Sequence, residues 1–587
     1  MEYIGSRGER MKDVLKYLRP YKNMALLAPI MMLLEVAAEL SMPKIMTYMI
    51  DQGVGMGNTG LLVKTGILML IISVVGIIGG VGCLVCAAIA SQRTGTDLRK
   101  AAFEKIQTFS FHNIDTFSTP SLITRLTNDI TQIQLVIMMC LRMMVRSPLL
   151  CVGSIIMAFS INAKIAGMFI TVVVLLTTAV VLILKAAMPK FKMVQQKLDK
   201  VNTVMRECLA GIRVVKAFVR NDYEVEKFAE VNVDYKNTTV SAFKIMMLMM
   251  PIMMILVNGT IIVILWFGGL QAYAGVMDVE EIMACITYLM QMMMATMMMA
   301  MNFMFISRAK ISADRVMEIL DAEVDIVDPK EPKLPTESKG KVEYKNVSFR
   351  YKMGSGDAVL EDISFVVEPG QTIGILGETG SGKSTLVNLL PRLYDVTEGS
   401  ILLDGIDVRD YRIKDLRQRV SVVLQETILF SGTIRDNIKW GKPDATEEEI
   451  IAAAKAAQAH DFIMELPKQY DTELGQRGVN VSGGQKQRIS IARALIQDPS
   501  VIIFDDSTSA VDSLTEKNIR LGMRETHSHC TKIIIAQRIS SVRHADKIVI
   551  LSGGKITAIG NHKYLMETSL DYQEIYASQM KKGVMAE

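Results

Sequence analysis

Cysteine gives this chain no scaffold. The seven present are scattered, and four of them (Cys83, Cys86, Cys151 and Cys285) sit in long apolar runs, which argues against a disulfide framework. The "CLVC" pair (83–86) has the spacing of a redox or metal motif, but two small apolar residues on a membrane helix is the simpler reading. A dominant charge is missing too: the formal net charge of +4 favours no particular partner, and no nucleic-acid partner is expected. No cleavable signal peptide is evident, because the first apolar run carries Glu35 and Glu39 and lacks a convincing cleavage site. The most informative scarcity is of charge itself, which almost vanishes over long runs between about residues 23 and 307.

Uncharged runs of that kind are long enough to cross a hydrocarbon core of about 30 Å, which takes roughly 20 helical residues. Segments 65–90, 165–184 and 282–307 are the cleanest. Segments 23–50 and 245–277 read as two more, the first interrupted by Glu35, Glu39 and Lys44, the second by Pro251 and several glycines. Segment 136–160, with Arg142 and Arg146, makes a sixth span. An even number leaves both termini on one side. The amino-terminal "GERMKDVLKYLRPYK" is basic, whereas the short segment before Ile282 carries Asp278, Glu280 and Glu281, so the positive-inside bias places both termini in the cytoplasm of a plasma-membrane protein. Residues 11–21 read as an amphipathic helix along the inner surface, with Val14, Leu15 and Leu18 near one face and Lys12, Lys16 and Arg19 available to lipid phosphates.

Two connections, about 91–132 and 186–240, are long and polar, so the membrane helices are expected to continue well beyond the bilayer. Each holds a turn-helix segment at its tip, "FHNIDTFSTPSL" (111–122) and "GIRVVKAFVRNDYE" (211–224), read either as solvated loop or as a contact relaying motion to a soluble domain. A length of 587 residues suggests about three or four units at roughly 100–200 residues each. The expected division is a transmembrane domain over 1–320, a Pro- and charge-rich linker over 321–341, and a soluble domain over 342–587. In that last part, short β-rich runs such as "QTIGILG", "VIIFD" and "KIVIL" alternate with helical stretches, which argues for an α/β fold.

"GETGSGKST" (377–385) matches the phosphate loop G-x-x-x-x-G-K-[ST] between a strand-like "TIGIL" and a helical "TLVNLLPRL". Backbone N–H groups of Gly377, Gly380, Ser381, Gly382 and Thr385 and the following helix terminus can cradle phosphates, with Lys383 on the β/γ phosphates and Ser384 on Mg²⁺. This chain is therefore expected to bind a nucleoside triphosphate. With "VSGGQKQRISIARALIQDPSVIIFDD" (481–506) and a glutamine-bearing "VVLQE", the soluble domain resembles an ATP-binding cassette, and the whole chain resembles a half-transporter of the ABC exporter class.

The resemblance implies the following roles. Tyr351 stacks on adenine, Gln425 reaches Mg²⁺ and the attacking water, and Asp505 holds the metal. Ser482, Gly483, Gly484 and Gln485 grip the ATP held by an opposing cassette, and Asp512 sits at the dimer seam. A second "LSGG" at 551–554 lacks the following Gln and Arg and reads as a hairpin turn. Two positions depart from the pattern. The family normally has Glu after the metal-binding Asp and a His further on that contacts the γ-phosphate; here these are Asp506 and Gln537. Asp is one methylene short, and displacement by roughly 1 Å can cost on the order of 100-fold where chemistry depends on positioning. Gln476 is a weaker departure, standing where many exporters carry Glu. Together the changes imply a degenerate site that holds ATP and hydrolyses it slowly, and hence a non-identical partner supplying the other phosphate loop and catalytic Glu.

The expected cargo is an amphipathic small molecule, because "MMLMMPIMM" (246–254) and "MQMMMATMMMAMNFMF" (290–305) bring flexible thioethers all around their helices. Lipid-facing and core packing is the plainer account of most of these methionines. A lipid or glycolipid flippase and a regulatory, channel-like subunit that senses ATP are the rival functions. Glu35 and Glu39 share a helix face, as do Arg142 and Arg146; interhelical pairing or snorkelling competes with a substrate site there.

Overall fold

The computed structural model describes residues 10–335, 337–351, 358–507 and 511–584, with side chains of 10–12, 300–308, 513 and 580–584 outside the description. The chain divides into two compact units, one made of Met1–Gln107 and Pro120–Ala322, the other of Thr108–Thr119 and Glu323–Glu587.

The first unit is helical. Its elements are α1 (Arg10–Lys16), α2 (Lys22–Tyr48) and α3 (Thr59–Gln107), then, after α4 (Phe111–Phe117) and α5 (Thr119–Thr124), α6 (Ile130–Ile161), α7 (Ala163–Ala210), α8 (Ile212–Ala217), α9 (Asn221–Met247), α10 (Met249–Tyr273) and α11 (Val279–Leu320). Six candidate spans of sufficient length and apolarity occur among the described residues. At about 1.5 Å per residue, α3 is about 74 Å long, more than twice the hydrocarbon thickness. The fifth span breaks at Leu248, three residues before Pro251, where α9 gives way to α10.

Close helix approach depends on glycine. A Cβ at Gly79 of α3 would lie 2.8 Å from the Met31 carbonyl oxygen and 2.9 Å from the Glu35 nitrogen of α2, so these two backbones touch only because no side chain intervenes. Nearby, Arg146 of α6 bridges both acids of α2, at 2.7 Å to Glu35 Oε1 and 2.9 Å to Glu39 Oε2. Interhelical pairing thus accounts for Arg146, Glu35 and Glu39, and Arg142 takes no part in it. Among the methionines, Met32, Met253 and Met292 are buried in the helical core, whereas Met250, Met254, Met290 and Met294 are exposed on this chain. The run's end, from Ala300 onward, lies outside the described side chains.

α1 spans seven residues, followed by a short 3-10 turn, Arg19–Tyr21. Val14 is buried against Leu98, Ile130, Ile133 and Val316, while Leu15 is exposed and Lys16 pairs with Asp13 at 2.6 Å. Val14 thus packs inward and Leu15 is left exposed on this chain.

The second unit is built on a six-stranded sheet ordered β12-β11-β3-β10-β9-β6, from β3 (Thr372–Leu376), β6 (Val420–Val423), β9 (Val501–Asp505), β10 (Thr531–Ile535), β11 (Lys547–Ser552) and β12 (Lys555–Gly560). All its pairs are parallel except β11 with β12. The parallel strands read as apolar runs because both faces are covered: every residue of β9, Asp505 included, is buried. β1 (Val342–Phe349), β2 (Leu360–Val367), β4 (Glu398–Leu403) and β5 (Ile406–Asp407) form an antiparallel sheet ordered β2-β1-β4-β5. The second "LSGG" is the β11–β12 turn: Ser552 pairs with Lys555 and the two glycines between them have φ of 53° and 77°, the left-handed pair that a two-residue hairpin requires. The described residues of the segment 323–341 have no regular secondary structure but are held on this unit, where Asp328 Oδ1 accepts from the Ile413 N–H at 2.7 Å and Lys333 pairs with Asp410.

Candidate nucleotide site

Four parallel strands deliver their carboxyl ends to one cavity of about 240 Å³. β3 runs into the phosphate loop, β6 into Gln425, β9 ends on Asp505 and Asp506, and β10 leads to Gln537, so residues more than 100 positions apart converge where open α/β sheets bind ligands.

The loop's shape follows from its glycines and its lysine. Gly380 and Gly382 have φ of 86° and 96°. A Cβ at Gly377 would stand against the Leu551 carbonyl oxygen. Lys383, at the first turn of α12 (Lys383–Leu389), folds back so that Nζ donates to the Gly377 and Glu378 carbonyls at 2.8 and 2.6 Å. Burial lowers the Lys383 ammonium below its ordinary pKa, with Asp506 and Asp505 opposing the shift. Ser384 Oγ donates to Asp505 Oδ1 at 2.9 Å, placing a hydroxyl and a carboxylate together as hard oxygen donors of the kind that suit Mg²⁺. Burial raises the Asp505 carboxyl, and the neighbouring Asp506 charge adds to the shift against Ser384 and Lys383.

Asp506 adopts a left-handed backbone, φ 46°, which an L-residue rarely takes and which costs on the order of 1–3 kcal/mol. Its N–H donates to the Ile535 carbonyl at 3.1 Å. Its side chain accepts from Gln537 Nε2 at 2.9 Å, so the two residues that depart from the family pattern are bonded to each other. Burial raises the Asp506 carboxyl, opposed by Lys383, Arg538 and Gln537.

Tyr351 does not line this cavity but touches its edge, with its hydroxyl 3.0 Å from Thr385 Oγ1. Its ring stands edge-on against Phe349 and Tyr394, at 4.8 and 5.3 Å between centroids. Tyr394 in turn donates to Asp115 Oδ2 of α4 at 2.8 Å, within the same unit. The sequence carries no signal for Tyr394, since "LPRLYDV" matches no motif.

The remaining expected residues lie elsewhere on the cassette. Ser482 caps the helix Gly483–Leu495 in a reciprocal pair with Gln485: Gln485 N–H donates to Ser482 Oγ at 3.3 Å and Ser482 N–H to Gln485 Oε1 at 2.9 Å. Gly483 and Gly484 form the first turn, with two N–H groups that have no partner within the helix. Asp512 caps the helix Ser513–Thr526 by accepting from the Leu514 and Thr515 N–H groups, and the Thr515 bonds hold its carboxyl below the ordinary range. Gln476 opens a short 3-10 turn, Gln476–Gly478.

Residues 25–296 match the ABC transporter transmembrane region and residues 360–509 the ABC transporter domain. The chain is 42% identical over 569 residues to the uncharacterized ABC transporter ATP-binding protein YfiB of Bacillus subtilis (strain 168), covering 97% of this chain and 98% of that one. It is 33% identical over 497 residues to an ATP-dependent lipid A-core flippase of Syntrophus aciditrophicus (strain SB), covering 84% and 82%. Among solved structures, a bacterial Atm1-family ABC exporter with ATP bound superposes with a TM-score of 0.79 at 26% identity, covering 95% of this chain and 99% of that chain. Six apolar helices joined to one ATP-binding cassette make a half-transporter, a unit that dimerises, and this chain belongs to the ABC transporter family as such an ATP-driven exporter subunit.

Proposed function

We propose that this chain is the slow half of a heterodimeric exporter of amphipathic small molecules. Its own phosphate loop holds ATP and turns it over sparingly, while Ser482, Gly483, Gly484 and Gln485 complete a hydrolytic site whose phosphate loop belongs to a non-identical partner. The observation that carries this reading is the hydrogen bond from Gln537 Nε2 to Asp506. A carboxylate that polarises attacking water needs a free oxygen aimed at that water, and the residue at 537 needs a free donor for the γ-phosphate. Here one oxygen of Asp506 and one N–H of Gln537 are turned on each other instead, and the carboxylate is one methylene short. ATP-binding groups remain intact: Lys383 for the phosphates, Tyr351 for adenine, Ser384, Asp505 and Gln425 for Mg²⁺, with Asp512 assigned to the seam. Bound Mg²⁺ would neutralise phosphate charge.

The positive-inside charge distribution supports a plasma-membrane protein with both termini and the cassette in the cytoplasm. The exposed Met250, Met254, Met290 and Met294 support an adaptable surface for amphipathic cargo. The lipid flippase reading is favoured by the relative of that name; vesicle assays with dyes and with lipids separate the two, and an ion flux without either would point to the channel-like alternative. The test of the site is made on the purified chain: ATP binds, Mg-ATP hydrolysis is slow, and co-expression with the partner brings strong activity. Robust hydrolysis by the chain alone contradicts the reading.

A further inference from the structure

β10 pairs with both of its neighbours as far as Ile535, and the Ala536 N–H still donates to the Ile375 carbonyl at 3.3 Å. The chain then leaves the sheet, carries Gln537 into the nucleotide cavity and starts the short helix Ile539–Val542. Arg538, at the N-cap of that helix, gives it no side-chain cap, which leaves its first N–H groups to find partners elsewhere. One partner comes from the far end of the chain. Gln579, on the helix Leu570–Val584, accepts from the Ile539 N–H through Oε1 at 2.9 Å and donates through Nε2 to the Gln537 carbonyl at 2.8 Å.

A single side-chain amide thus does for residues 537 and 539 what a neighbouring strand does in a sheet, because it holds an acceptor and two donors in one plane. Its helix is itself anchored. Tyr572 is buried in one apolar cluster with Ile539 and Val542, Ile575 and Tyr576 pack against that cluster, and the Tyr572 hydroxyl lies 2.7 Å from His562 Nδ1. The backbone gripped in this way carries the side chain that meets Asp506 at 2.9 Å. One N–H of the Gln537 amide is given to Asp506, and the second remains.

We infer that Gln579 is a positioning residue of the nucleotide site. By gripping the peptides on either side of Arg538, it fixes the backbone from which Gln537 offers its second N–H to the terminal phosphate of bound ATP. The inference rests on the reading of 537 as the position that meets that phosphate. Because ADP lacks the group, Gln579 sets the preference for triphosphate over diphosphate and leaves general nucleotide affinity alone.

The experiment measures binding of AMP-PNP and of ADP, each with Mg²⁺, to the full-length chain in nanodiscs. Gln537→Ala should lower the preference for AMP-PNP about tenfold, the share of one hydrogen bond to a charged phosphate. Gln579→Met, which keeps the length of the side chain and loses both bonds, should lower it about threefold with ADP affinity unchanged. The double variant should be no worse than Gln537→Ala, because Gln579 acts through 537. Tyr572→Phe, which removes an anchor of the same helix without touching the grip on 537 and 539, should keep the full preference. Full preference in Gln579→Met beside its loss in Gln537→Ala would overturn the role of Gln579 and leave the reading of 537 standing. A strictly additive double variant, or Tyr572→Phe as impaired as Gln579→Met, would do the same. Full preference in Gln537→Ala would overturn both.

Discussion

Restoring the family residues at both altered positions should convert the slow pocket into a fast one, and only the pair of changes should do so. Asp506→Glu lengthens the side chain by one carbon–carbon bond, about 1.5 Å, but leaves the carboxylate facing the Gln537 amide that now bonds it at 2.9 Å. Gln537→His supplies an imidazole but leaves the carboxylate short. If about 1 Å of misplacement costs about 100-fold, close to 2.7 kcal/mol of barrier, the double variant should gain about 100-fold. Each single change should gain less than about fourfold, so the two are coupled by at least about 1 kcal/mol in a double-mutant cycle. The assay is steady-state phosphate release by the purified full chain in nanodiscs with Mg-ATP, on samples shown by mass photometry to be dimeric, since each site needs two cassettes. Strictly additive effects, or no gain in a dimeric sample, would refute the claim that the Asp506–Gln537 bond holds hydrolysis back.

Arg146→Ala leaves Glu35 and Glu39 without their shared cation and should lower the thermal transition of the solubilised chain, by about 3 kcal/mol for a partner removed from a buried ion pair; Arg146→Met with Glu35→Gln and Glu39→Gln should recover most of that loss, and an unchanged transition for Arg146→Ala would contradict the bridging role. Because burial raises the Asp505 carboxyl, Mg-ATP affinity should begin to fall on acidification above the ordinary Asp value of about 3.9, while Mg-free ATP affinity should not follow it. Stability of the nucleotide-free cassette moves the other way: a carboxyl raised on folding stabilises below its unfolded value and ceases to as pH rises through the folded one. Isothermal titration with and without Mg²⁺ checks the first point, and parallel decline of both affinities would refute it.

Much of the architecture is legible from local pattern. Uncharged runs of span length and short apolar strands flanking a glycine loop are one-dimensional signals, and they identify both the helical unit and the α/β cassette. The turn at 553–554 is readable for the same reason, because neighbouring residues define a hairpin. What a linear reading cannot supply is pairing across distance. Asp506 and Gln537 are separated by 31 positions, and only the register of β9 beside β10 brings them together. Nothing in the spacing of Arg142 and Arg146 tells which one reaches the acids of α2; the difference of one helical turn decides it. Val14, Leu15 and Leu18 read alike in the sequence, and only packing separates Val14, which is buried, from Leu15, which is exposed. Tyr394 was invisible because its role is contact with Tyr351 and Asp115, not membership of a motif.

The most direct measurement is the effect of Asp506→Asn on the assembled transporter, with this chain and its partner purified together and Mg-ATP hydrolysis followed alongside vanadate trapping of a photoreactive adenine nucleotide. Trapped label should lie mainly on the partner, Asp506→Asn should change turnover little, and Ser482→Ala should abolish trapping by opening the partner's site. If Asp506→Asn stops hydrolysis as completely as loss of the partner's catalytic carboxylate does, this chain's pocket is a working catalyst and the degenerate-site account is wrong.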